Sequence, residues 1–378
     1  MNMSVRALGV ALALAMSVTS SALVAPRALA GSSGTASVQR ALDRLTRDDG
    51  APGALADVRT KHGTTVLTSG VADLETGAAM PADSDFRIGS MTKTYVATVV
   101  MQLVGQGRVA LDAHVERYLP GVVRGHGNDG RKITIRSLLQ HTTTLPEILE
   151  YYTPQDILAD RYAHHDLADL LAIPLAHPPV KPDTPGQFRY CNTNYLVLSM
   201  LIEKVTHHPY GTEIKRRILT PLGLGSTSVP GDEVTIPRPH PRGYVRTAAG
   251  ADPIDVTEFN PTAAAGAGDM ISSGSDMSTF LDALLSGRLL HRAELAEMMG
   301  VTQTGHSDGG AYGLGLEQWS LPCGGVFWGH QGDILGFQTM SGATTDGRQA
   351  TVMVNVDPGG PDAQDDDVQD AVTAALCS

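Results

Sequence analysis

The sequence predicts an α+β fold, on three observations. Segments of strand character cluster in the first and last quarters of the chain, an amphipathic helix lies at each end, and the long middle is helical and loop-rich. The simplest packing is one antiparallel sheet built from both chain ends and covered by the terminal helices. A mainly helical lobe, about 111–304, is then inserted between an N-terminal part, about 31–110, and a C-terminal part, about 305–378. The cleft between sheet and lobe is where a site is expected.

Taken in order, residues 1–30 read as an export signal rather than as part of the fold. Arg6 supplies a positive start, Ala7 to Met16 an apolar stretch, and Ala28-Leu29-Ala30 a cleavage site before Gly31. The mature chain, 31–378, is expected to be a soluble extracellular or periplasmic monomer, with no later segment of about 18 apolar residues to span a membrane. Residues 35–47 carry Val38, Leu42 and Leu45 on one helical face, and Ala54 to Val71, broken at His62-Gly63, reads as a hairpin. Phe86 to Ile88 is a short strand, and Tyr95, Val96, Val99, Val100, Leu103 and Val104 recur with helical spacing after it. Helices follow near Ile135–Gln140, Tyr195–Thr206, Met277–Leu285 and His291–Met299. Strands are predicted at Ala311–Leu316, Val326–Trp328, Phe337–Gly342 and Ala350–Val356, and a last helix at Asp365–Leu376. Asp365, Asp366 and Asp367 open that helix, where the dipole favours negative charge, and read as a capping cluster rather than a metal site.

The formal charge is −12, or −14 once Arg6 and Arg27 leave with an acid-free signal segment. Such a balance gives no electrostatic footprint for nucleic acid. Three cysteines allow at most one internal disulfide. Cys323 and Cys377 are the candidate pair because they flank the C-terminal strands and helix, with Cys191 left over; the alternative is that all three are reduced.

The chemistry begins at Ser90-Met91-Thr92-Lys93. A serine and a lysine three apart share one helical face, so a nucleophile lies beside a proton acceptor. Lys61, Lys132, Lys181, Lys204 and Lys215 all lack a serine three residues earlier. Ser90 falls at a helix N-terminus, whose dipole favours a developing oxyanion and disfavours a protonated lysine. Tyr190 and Asn192, two apart at the entrance to an apolar helix, are candidates for a second proton-handling group and for an orienting amide; a lysine charge near the phenol would favour its ionisation. His330, within Gly329-His330-Gln331-Gly332-Asp333 after the strand Val326–Trp328, is the third part, its glycines permitting close approach of substrate to a sheet edge. A formal Gly305-His306-Ser307-Asp308-Gly309 has the wrong context for a nucleophile elbow, since a helix precedes it and a strand follows.

The order and spacing of Ser-x-x-Lys, Tyr-x-Asn and His-x-Gly resemble the penicillin-recognising serine hydrolases, the family of class C β-lactamases and secreted D-alanyl-D-alanine carboxypeptidases. The resemblance also takes in Phe86–Gly89, Leu138-Leu139-Gln140-His141-Thr142 and Tyr312-Gly313-Leu314-Gly315-Leu316. With His rather than Lys opening the third motif, the chain is more similar to the carboxypeptidase branch. The resemblance implies a β-lactamase/DD-peptidase-like fold and an acyl-enzyme on Ser90, with no cofactor or metal. It implies Lys93 as proton partner, Tyr190 as acid/base, Asn192 as positioner and His330 completing the network. It places the oxyanion hole at the backbone N–H groups of Ser90 and Asp333. Which of Lys93 and Tyr190 takes the serine proton stays open.

Departures bear on substrate. Where the carboxypeptidase branch presents hydroxyls and an arginine to a terminal carboxylate, this chain has Gln331, Asp333 and Glu317 around Gly332, and Ala263-Ala264-Ala265 stands near the place of an aromatic over the cleft. Two carboxylates are electrostatically wrong for a C-terminal D-alanine. The chain therefore reads nominally as a D-alanyl-D-alanine carboxypeptidase-like enzyme acting on small peptides, amides or esters, with peptidoglycan stem peptides and β-lactams as candidate ligands. An esterase, a D-amino-acid amidase or an amide-forming transacylase is the alternative, and a non-catalytic peptidoglycan or β-lactam sensor the alternative of another class.

Overall fold

The computed structural model describes residues 31–181, 186–248, 251–305, 310–361 and 363–378. The expected export signal and the Gly305–Gly309 pattern around Ser307 lie wholly or partly outside them. Among the described residues no helix is long and apolar enough to cross a membrane.

The chain opens with helix α1 (Gly31–Arg47) and the hairpin β1 (Gly53–Thr60) and β2 (Gly63–Gly70). Strand β3 (Asp85–Arg87) then leads through a short 3₁₀ turn, Gly89–Met91, into α2 (Thr92–Gly105). The middle carries α3 (Ile135–Leu139) and α4 (Thr193–Thr206) among shorter helices. The chain returns through β4 (Ile271–Ser273), α5 (Gly274–Leu285) and α6 (Arg292–Met298). Strands β5 (Thr302–Gln303), β6 (Ala311–Tyr312), β7 (Glu317–Ser320), β8 (Val326–Ile334), β9 (Phe337–Ala343) and β10 (Gln349–Val354) follow, and α7 (Ala363–Leu376) closes the chain. Eight strands form one sheet in the order β2-β1-β10-β9-β8-β7-β6-β5, every pairing antiparallel. N- and C-terminal segments thus meet at β1 and β10, where Ala54 faces Val354.

Burial explains the layers. Val38, Leu42 and Leu45 of α1 and Val368, Val372 and Leu376 of α7 pack with Phe327, Val352 and Val354 on one face of the sheet. Asp367 of the acidic cluster pairs with Arg44 at 2.9 Å, joining the two terminal helices. On the other face, α2 and α5 join Leu55, Phe337 and Met353 in a second core that continues into the helical lobe.

Three expectations change. Met277–Leu285, expected within the inserted lobe, belongs to α5 and packs on the sheet, because β4 just before it pairs with β3 and its apolar face meets β9 and β10. Of the single strand expected at Ala311–Leu316 only Ala311–Tyr312 is strand, and residues 313–316 turn the chain back into β7, which pairs with it. Gly315 takes φ +76° there, and a Cβ on it would stand 2.4 Å from Ala97 Cβ and 2.6 Å from Tyr195 Oη, so the chain dips against α2 and α4. The motif placed after the strand Val326–Trp328 lies inside it, since β8 pairs with β9 from Trp328 to Ile334.

Cys323, in the turn before β8, is bonded to Cys377, just beyond α7, and Cys191 is free and buried. The link spans a sequence separation of 54 residues. Cys323→Ser is expected to cost about 2–4 kcal/mol of stability through the entropy of the unfolded chain. Thermal denaturation checks this: the variant melts lower than the oxidised parent, and reductant lowers only the parent.

Candidate active site

Ser90 sits half-buried in the 3₁₀ turn that becomes α2. Gly89 makes this turn possible, with φ +49° and so little room that a Cβ would lie 2.7 Å from the Asp333 carbonyl oxygen of β8. Gly332 is equally constrained, 2.1 Å from the Ile88 carbonyl oxygen by the same measure, and Gly329 abuts Ser341 of β9. The glycines expected to admit substrate instead admit neighbouring backbone, seating the Ser90 turn on β8.

One turn on, Lys93 is fully buried, and its Nζ lies 2.8 Å from each of Ser90 Oγ, Asn192 Oδ1 and the Ala267 carbonyl oxygen. The last two oxygens only accept, so they take two N–H bonds in either protonation state. The third position faces the serine hydroxyl. An ammonium donates there, and a neutral amine directs its lone pair there. Burial lowers the Lys93 pKa to about 7 against the opposing pull of Glu147, Glu317 and Asp333.

Tyr190 reverses an expectation. Its hydroxyl is buried beside Ser90 without a hydrogen bond of normal geometry, and its pKa is pushed well above 10, by burial first and also by Glu317 and Asp333, although the Ser90 hydroxyl opposes. Lys93 Nζ lies 4.9 Å from the centre of the Tyr190 ring. The phenol is therefore an un-ionised acid at rest rather than a lysine-activated phenolate.

Asn192 precedes α4, and Glu147 fixes which way its amide points. Glu147 Oε1 accepts from Asn192 Nδ2 at 2.8 Å and Oε2 from the Asn192 backbone N–H at 2.5 Å, leaving Oδ1 for Lys93. His330 is buried on β8, its Nδ1 2.5 Å from the Gln331 carbonyl oxygen and its Nε2 2.9 Å from Tyr312 Oη. Burial, then the Lys93 charge, lowers its pKa to about 3, so the ring is neutral.

Strand β7 pairs with β8 only as far as Glu317 opposite Gly329, which leaves the edge of β8 open beyond it. There Gln331 N–H donates to Glu317 Oε2 at 3.2 Å. The Asp333 N–H, two residues on and on the same edge, lies 2.8 Å from where a Gly89 Cβ would stand. Asp333 is exposed on β8, opposite Gln338 of β9. A pocket of about 170 Å³ opens beside Ser90, lined by Phe188, Tyr190, Tyr312, Glu317, Trp319 and Gln331 among others. The cleft is aromatic although Ala263–Ala265 contributes no ring.

Residues 38–375 match the family model described as Beta-lactamase. The chain belongs to the β-lactamase family. Its serine-hydrolase character and α/β fold are those of that family. Over 244 residues, 64% of this chain and 61% of the other, it is 30% identical to penicillin-binding protein 4 of Amycolatopsis lactamdurans; the match thus spans about three-fifths of that relative's length. The structure of a D-stereospecific amidohydrolase from a Streptomyces species is similar with TM-score 0.83 and 38% identity, covering 90% of this chain and 98% of that one. That of D-amino acid amidase from Ochrobactrum anthropi SV3, complexed with L-phenylalanine amide, follows with TM-score 0.78, 28% identity and the same coverage.

In this β-lactamase-family chain the five side chains singled out from sequence converge on one cleft. Glu147 and the Ala267 carbonyl were not anticipated. Glu147 lies 45 residues from Asn192 in a segment without periodic pattern, and a carbonyl carries no residue-type signal.

Proposed function

We propose that the protein is an exported amidohydrolase acting on D-amino-acid amides through a Ser90 acyl-enzyme. The observation that carries the chemistry is Lys93 Nζ, held by two pure acceptors with its third position on Ser90 Oγ. Neutral Lys93 takes the serine proton as Oγ attacks the amide carbonyl. The oxyanion is received by the Ser90 and Asp333 N–H groups. Tyr190 gives its proton to the departing nitrogen, the C–N bond breaks, and a transient phenolate faces the Lys93 ammonium. In deacylation the phenolate takes a proton from water, the hydroxide attacks the ester, and Lys93 returns its proton to Ser90.

Charge favours the amidase over the nominal carboxypeptidase. Among the described residues lining the pocket there is no arginine or lysine to receive a terminal carboxylate. Glu317, which lines the pocket, instead suits a substrate's α-ammonium. The likeness to the Streptomyces D-stereospecific amidohydrolase supports the same substrate class. Turnover of D-phenylalanine amide, L-phenylalanine amide and a D-alanyl-D-alanine peptide is the test. Ammonia release from the D-amide is expected to lead, and a higher kcat/KM for D-alanine release from the peptide would restore the carboxypeptidase. Glu317→Gln is expected to raise KM for D-phenylalanine amide roughly tenfold, the effect of about 1.4 kcal/mol. The N-acetylated amide, which has no ammonium, should show no such rise.

A further inference from the structure

Two sequence motifs remain without a role, the one ending in His141 and the one opening with Tyr312, and they meet behind Tyr190. His141 follows α3 with φ +56° and is fully buried. The segment carrying Tyr190 hangs on it: the Arg189 N–H donates to the His141 carbonyl oxygen at 2.8 Å and the Cys191 N–H to His141 Nδ1 at 3.1 Å. The imidazole also lies under the Tyr190 ring, centroids 4.3 Å apart. A backbone N–H can only donate, so His141 Nδ1 is bare and its proton sits on Nε2. That Nε2 lies 3.2 Å from Tyr312 Oη. At the other end a carbonyl can only accept, so the proton of the neutral His330 ring sits on Nδ1, toward Gln331, and its Nε2 is bare. Tyr312 Oη, 2.9 Å away, donates to that nitrogen. The hydroxyl is thereby used twice, accepting from His141 and donating to His330, and the chain of bonds has one direction.

We infer that Tyr312 is a positioning residue for the general acid: its hydroxyl ties His141, which carries the Tyr190 segment, to His330 on β8, and so fixes the Tyr190 phenol relative to the Ser90 turn seated on that strand. Neither the substrate nor a proton in flight needs to touch Tyr312 for this role. Its loss strands the N–H of His141 and the bare nitrogen of His330, both buried. The inference rests on the reading of Tyr190 as the acid that protonates the leaving nitrogen. An amide needs that proton, whereas a p-nitrophenyl ester releases a stable phenolate without it.

Tyr312→Phe is therefore expected to lower kcat for D-phenylalanine amide about 10- to 100-fold with KM within threefold, and to change the first-turnover rate of p-nitrophenolate release from the p-nitrophenyl ester of a D-amino acid, which reads acylation alone, less than threefold. Equal losses on both substrates, or no loss on either, would overturn the inference. Nitrogen NMR of the imidazoles in the unsubstituted protein gives a second test independent of turnover, with His141 expected to carry its proton on Nε2 and His330 on Nδ1. The opposite tautomer at either ring overturns the inference even if the variant fails to fold. In a folded Tyr312→Phe the His330 Nε2 resonance is expected to move downfield, toward a nitrogen that accepts no hydrogen bond. If the unsubstituted protein leaves D-phenylalanine amide intact, the substrate reading fails, and the tautomers and the His330 shift still decide the role of Tyr312.

Discussion

Ser90→Ala is expected to lower kcat for every amide or ester substrate by about 10⁴- to 10⁶-fold and to remove the covalent adduct, while the protein still folds. The size of the loss follows from the step removed. Without Oγ there is no acyl-enzyme, and Lys93, Tyr190 and the two N–H donors act as a unit that has lost its centre. The small structural cost follows from what Ser90 touches. Its side chain is half-buried, and the bond it gives up is the one to Lys93 Nζ, which keeps Asn192 and Ala267. Losing that acceptor disfavours the ammonium, so the variant's lysine shifts further toward the neutral amine. Intact-protein mass spectrometry after incubation with D-phenylalanine amide, a p-nitrophenyl ester and penicillin reads the adduct, and thermal denaturation reads the fold. Residual turnover of more than about one part in a thousand would mean that another nucleophile does the chemistry. A sensor that binds without turning over would show neither adduct nor product in the unsubstituted protein.

How much of this was legible in the sequence depended on whether the signal was local. Ser90 and Lys93 are one helical turn apart, and the i, i+3 rule alone brings them together. The hairpin, the terminal helices and the late strands were legible because alternation and 3.6-residue periodicity survive where one face is buried. Ala311–Leu316 misled because its apolar and glycine residues mimic a buried strand, whereas Gly313 and Gly315 are there for a turn pressed against α6 at Gly313 and against α2 and α4 at Gly315. The ionisation of Tyr190 misled for a different reason. A nearby lysine lowers a phenol pKa and burial raises it, and which dominates is set by packing contributed from α4, β6, β7 and β8. Asp333 shows the same limit. Its residue type marked a carboxylate at the cleft, whereas the group it presents to the Ser90 turn is its backbone N–H.

Lys93 carries the other large effect, with opposite signs for activity and stability. As a base it works only when neutral. With a pKa of about 7, kcat/KM is expected to fall tenfold per pH unit below pH 7 and to level off above it. Lys93→Met removes the base and is expected to lower kcat by about 10²- to 10⁴-fold. Stability runs the other way. The lysine pKa is 10.5 in the unfolded chain and about 7 in the fold, so between those values the unfolded state holds a proton that the native state does not. Stability contributed by this group therefore rises as pH climbs from 7 to 10.5. Below pH 7 both states are protonated and the native state bears the whole cost of a buried ammonium, a few kcal/mol by linkage. Methionine, of similar length and without charge, removes that cost, although it leaves Asn192 Oδ1 and the Ala267 carbonyl without their donor. Lys93→Met is thus expected to gain in Tm relative to the parent as pH falls, with the largest difference near pH 6 and the smallest above pH 10. Parallel melting curves and pH–rate profiles of parent and variant check both signs. A parent profile flat from pH 5 to pH 9, or a difference in Tm that does not change with pH, would show that Lys93 does not titrate near neutrality and that the serine proton goes elsewhere.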